Sequence, residues 1–166
     1  MALVRSEYAA EFAVVAAWIS ALMPWSITYF RPAELSLELL VVRYGYFHLQ
    51  FLLSGPLLDT RTFLPLHEAH GYVAPNVRPA ITVAAVAAVA LTLALALSVA
   101  YYRAEDRVEG LPVDPVRLMG ALLGVCGLVY LAATALLWEN KAGTTVPLAP
   151  VFMLVFAVSL LRVDRP

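Results

Sequence analysis

The chain has 166 residues, of which 62% are hydrophobic and 14% charged, with a formal net charge of −1 and a mean hydropathy of +0.81. So little polar side chain cannot cover the exterior of a water-soluble domain of this size, and the composition places the chain in a lipid bilayer. A charge balance this close to zero also excludes nucleic acid as a partner.

A hydrocarbon layer about 30 Å thick needs roughly 20 apolar residues at about 1.5 Å each. Residues 12–30 form the first such run and contain no charge. The segment before it has one arginine, Arg5, against Glu7 and Glu11. It therefore lacks the basic start of a cleavable signal peptide, and the first run reads as an uncleaved anchor. Pro24 removes a backbone donor inside that run and predicts a kink near Ser20.

Residues 35–54 are the next candidate span, and they carry Glu38, Arg43, His48 and Gln50. Read as a helix at about 100° per residue, Arg43 and Gln50 lie about 20° apart, whereas His48 stands about 140° from Arg43. Burying a charge in lipid costs at least about 2.5 to 3.5 kcal/mol, so these residues and Glu11 make up a candidate intramembrane polar site. The expectation is a structural ion pair between Arg43 and Glu11, Glu34 or Glu38. The alternative is a polar stripe lining a conduction path.

A loop of about 25 residues follows, holding "LHEAH" with His67, Glu68 and His70. The three-residue spacing suits a metal on a helical turn but lacks the gap of the His-Glu-x-x-His motif. No metal is expected there. A membrane haem on His48 needs a second axial ligand from a facing helix, and no other histidine lies in an apolar run, so no cofactor is expected either. Cys126, the single cysteine, allows no intrachain disulfide.

Residues 80–102 and 118–138 are long apolar runs, and 146–161 is a shorter one reaching about 24 Å. Between the first two, "VDPVR" supplies Asp114 as an N-cap with Pro115 at the first helical position. Ala80, Ala84, Ala88, Thr92, Ala96 and Ala100 form a ridge of small residues, and "GALLG" places Gly120 and Gly124 four apart, with Gly127 one turn on. Small residues let membrane helices approach closely, so these glycines are candidate packing positions, against another helix of this chain or a second copy.

The fold expected is an all-α membrane protein, one integral domain over residues 1–166. It has five transmembrane helices at about 12–30, 35–54, 80–102, 118–138 and 146–161, or four if 35–54 does not span. Arg103, Arg107, Arg117, Arg162 and Arg165 share one face in either scheme, which places the C-terminus in the cytoplasm.

"VRSEYAAEF", "LMPWS", "SVAYYRAEDRVEGLPVDPVRLMGALLG" and "LLRVDR" together resemble a family of small multi-pass membrane proteins from halophilic archaea with no assigned function. The resemblance covers nearly the whole chain and implies a habitat but no activity. Ten arginines against one lysine, and acidic loops, agree with it. The function expected is that of an accessory or assembly subunit of a larger membrane complex, with lipid and other membrane subunits as partners and no catalysis of its own. A small transporter using the polar stripe, or a redox subunit using His48, are the alternatives.

Overall fold

The computed structural model describes residues 8–31, 37–55, 61–104, 113–141 and 143–163. The alanine-rich start forms helix α1, Ala9–Leu22, which ends at once before Pro24. Proline cannot donate to a continuing helix and drives the residue before it into an extended conformation, which Met23 adopts at φ −86°, ψ 140°. The expected kink is therefore a helix end, and the chain leaves it as a strand.

Strands β1, Ser26–Phe30, β2, Glu38–Arg43, and β3, Phe47–Ser54, follow. β2 and β3 are joined by a tight turn closed by the Tyr44 amide donating to the Phe47 carbonyl, 2.8 Å. Gly45 sits in this turn because a Cβ there would lie 3.1 Å from Leu91 and 3.2 Å from the Tyr130 hydroxyl. A short β4, Phe63–Pro65, leads into helix α2, Leu66–Tyr72. Two long helices come next, α3, Arg78–Arg103, and α4, Pro115–Glu139. Asp114 caps α4, its carboxylate accepting from the Val116 amide at 2.9 Å with Pro115 in the first turn. Strand β5, Thr144–Pro147, and helix α5, Ala149–Leu161, are the last elements among the described residues. The five strands make one antiparallel sheet in the order β4-β3-β2-β1-β5.

The protein is thus mixed α/β, and the expected all-α bundle of five transmembrane helices is overturned. Within the expected second span, residues 38–54 are two strands and a turn. The 12–30 run divides into helix and strand, and the 146–161 run begins in β5. Among the described residues only α3 and α4 are long and apolar enough to cross a bilayer; α1 and α5 have 14 and 13 residues.

α3 and α4 pack along most of their length. Their buried positions, Ala80, Ala84, Ala87, Leu91, Ala94, Ser98 and Tyr101 on one and Val116, Met119, Leu123, Cys126, Tyr130, Ala133 and Leu137 on the other, recur every three or four residues. That is the 3.5-residue seam of a left-handed coiled coil. The expected alanine ridge steps by four and so winds about 40° per step off that seam; its far members Thr92, Ala96 and Ala100 are exposed. The glycine face meets α5 of the same chain: a Cβ on Gly120 would stand 2.9 Å from Leu160 Cβ, one on Gly124 3.3 Å from Ala157 Cβ, and one on Gly127 3.1 Å from the Pro150 carbonyl. α5 runs antiparallel to α4, and α1 lies with its start beside Tyr101 and Tyr102 at the end of α3. Four helices therefore share one half of the molecule. In the other half the sheet packs beside α3 and α4.

The two faces of the sheet are inverted relative to a soluble protein. The buried face carries Ser26, Thr28, Arg43, His48, Gln50 and Thr145 beside Val41 and Leu64. The outward face carries an unbroken apolar row across all five strands, Val146, Ile27, Val42, Leu49 and Phe63, with the two end members more than half exposed.

Candidate functional site

Side chains alternate along a strand, so residues two apart share a face and cross-strand partners stand side by side. The register pairs Ser26 with Arg43 and Arg43 with His48, and one row further along it pairs Thr28 with Val41 and Val41 with Gln50. Arg43, His48 and Gln50 therefore lie on one face, which a helix over 35–54 forbids for arginine and histidine. The separation of Arg43 from His48 read from helical geometry is wrong because a turn, not a helix, joins them.

Arg43 is 5% exposed and His48 0%. The guanidinium donates from Nη1 to Thr28 Oγ1, which shares a 2.9 Å hydrogen bond with Thr145 Oγ1. Its Nε is buried with no partner, as are both ring nitrogens of His48 and the hydroxyl of Ser26. Burial lowers the Arg43 pKa to about 10, which leaves it charged at neutral pH. Burial first, and the neighbouring guanidinium second, push His48 down to about 3, so its ring is neutral. The pair thus consists of one fixed cation and one neutral ring.

No carboxylate meets that cation among the described residues. Glu38, on β2, pairs with Arg31 at 3.3 Å, and Glu11 is exposed in the first turn of α1, at the far end of the molecule from the sheet. Glu34, the third expected partner, lies outside the described residues, as do Arg5, Arg107 and Arg165. The expected ion pair of Arg43 with Glu11 or Glu38 is thereby replaced by a hydrogen bond to Thr28. Sequence reasoning missed Thr28 and Thr145 altogether. The available signal was "SITYF" and "TTVP", two short β-branched stretches, one of them just after a proline.

Arg43, His48 and Gln50 line a cavity of about 240 Å³. Phe30, Leu39 and Val41 complete its sheet wall, and the turn between α2 and α3, including Val73, Asn76 and Val77, forms the opposite wall. Lys141 stands at its edge, exposed and with φ 51°. His67 and His70 do not enter this site. His67 pairs with Glu68 at 3.6 Å on exposed α2, and His70 shares a hydrogen bond with Thr82 at 3.3 Å. Among the described residues no three His, Cys, Asp or Glu side chains come together as a metal site would require.

The fold and site define a small α/β protein in which an apolar helical half carries a sheet with a half-open cavity lined by a buried arginine. Residues 2–165 match a family of unknown function, DUF7549, and the chain belongs to that family. A search of curated proteins returns no match.

Proposed function

We propose that the protein is an integral-membrane accessory protein that binds a ligand or partner and catalyses nothing itself. The observation that carries the bilayer placement is the apolar exterior of every helix in the shared half. Val86, Val89 and Leu93 on α3, Val125 and Leu128 on α4, Val15 on α1 and Val151 and Val155 on α5 are all more than half exposed. Less than half of the most apolar stretch of α3 or α4 is covered by the protein, 39% and 44%. The core helix of a soluble protein is covered on most sides, and an uncovered apolar surface this large marks a membrane or partner face. α3 and α4 reach about 39 and 38 Å, enough to cross the hydrocarbon layer. α1 and α5, at about 20 Å, enter the lipid from the same side and stop at the sheet.

A binding role fits the chemistry of the cavity. Arginine, glutamine and a neutral histidine can hold a ligand, whereas Ser26 and His48 stand on opposite sides of Arg43 with no hydrogen bond between them, so no nucleophile is activated there. A conduction path would continue through the helices. Instead, next to the sheet turn come Trp25, Leu91 and Tyr130, each almost fully buried.

In cell membranes, the protein is expected to stay in the pellet after alkaline carbonate washing, and a reporter fused to its C-terminus is expected to face the cytoplasm. Release by carbonate would overturn the bilayer placement. An external reporter would reverse the orientation.

A further inference from the structure

We propose that the cavity between the sheet and the α2–α3 turn is a binding site for a small monocarboxylate with an apolar body. Arg43 is 95% buried by the complement of its 5% exposure, is charged, and has no carboxylate beside it among the described residues. A buried cation without a counter-ion is unfavourable unless something else meets it. Nη1 is engaged by Thr28 and Nε is buried without a partner, so the hydrogen bond to Thr28 leaves the guanidinium short of acceptors where Arg43 lines the cavity. A guanidinium is the side chain whose paired donors match the two oxygens of a carboxylate. His48 and Gln50 flank the same spot on β3, and Lys141 adds a second positive charge at the edge.

The remaining walls choose among anions. Phe30, Leu39, Val73 and Val77 face the cavity from both sides, which suits an alkyl or aryl tail and leaves a phosphate dianion short of donors. At about 240 Å³ the space is below the roughly 300 to 1,000 Å³ of sites that take drug-sized ligands, so the ligand is small. This inference rests on reading the cavity as a binding site and is independent of the bilayer placement.

The test is calorimetric titration of the purified full-length protein in a non-ionic detergent with hexanoate, hexanamide and inorganic phosphate. Hexanoate is expected to bind saturably, and hexanamide and phosphate at least tenfold more weakly. Arg43→Met is expected to weaken hexanoate at least tenfold while melting no lower than the wild type without ligand, since it removes an unpaired buried charge. Should Arg43→Met not fold, Val73→Trp, which fills the cavity from its outer wall, is expected to abolish the same binding. Absence of hexanoate binding, equal binding of hexanamide, preferred binding of phosphate, or full binding by either variant would overturn the proposal. Each of these results leaves the carbonate-wash outcome unaffected, so the two readings fail separately.

Discussion

Trp25→Ala is expected to lower stability by about 3 to 5 kcal/mol, the largest loss of any single substitution discussed. Trp25 is 1% exposed and stacks on Tyr130 with ring centroids 5.3 Å apart and planes 13° from parallel. It is also where three elements meet: its amide donates to the Arg43 carbonyl at 2.8 Å, and its carbonyl accepts from the Leu148 amide at 3.3 Å. Removing the ring therefore leaves a cavity between sheet and helices. With the whole stability of a domain at about 5 to 15 kcal/mol, this loss brings the variant close to unfolding. Trp25→Phe should keep more than half of the lost stability, because the indole N–H has no partner to lose. Thermal unfolding of the detergent-solubilised variants reads both, and an alanine variant that melts with the wild type would contradict the packing described.

Gly120→Leu is expected to be nearly as damaging. The added Cβ alone would come within 2.9 Å of Leu160 Cβ, so α5 must move off α4 to admit the side chain. Overpacking of this kind costs about 1 to 3 kcal/mol where a core can give, and more where close backbone approach is the basis of helix pairing. Gly124→Leu should be milder, since its Cβ meets only Ala157 at 3.3 Å, and Gly71→Ala, with open space around it, should be neutral. Unchanged melting for Gly120→Leu would show that α4 and α5 do not depend on this contact.

What was legible beforehand follows from how far each signal reaches along the chain. The long charge-free runs locate α3 and α4 because a helix of 25 or 26 residues has no other economical reading at that hydropathy. Asp114 and Pro115 mark the start of α4 because capping is a local interaction between neighbours. The glycine positions were legible, but their partner, α5, was not, since nothing in a helix sequence says which helix lies opposite.

The sheet was hidden by its own inversion. Strands are usually recognised by polar residues on an outward face, whereas β1, β2 and β3 point Ile27, Tyr29, Leu40, Val42 and Leu49 outward and bury threonine, arginine, histidine and glutamine. In so apolar a chain, "ELLVVRYGYFHLQFLLS" satisfies the length of a span, and only Gly45 between two tyrosines hints at a turn. Arg43, His48 and Gln50 stand out in the sequence as polar residues in an apolar stretch, and all three are buried. Their grouping depended on the strand register, and Arg43's actual partner, Thr28, is 15 residues away on another strand.

The central claim of the proposed placement is that the exposed apolar helix faces lie in lipid while the sheet's rim meets water. The most direct test is thiol labelling of single cysteines in a Cys126→Ala background, in sonicated membranes where both faces are open to a water-soluble maleimide. Val89→Cys and Leu128→Cys, on surfaces about 61% exposed, and Thr62→Cys, at an exposed position beside β4, are all at positions the protein leaves exposed. A thiol in lipid neither ionises nor meets the reagent, so Thr62→Cys is expected to label rapidly, with the two helix positions at least tenfold slower until detergent is added. Labelling of Val89→Cys and Leu128→Cys as fast as Thr62→Cys before detergent would contradict the account.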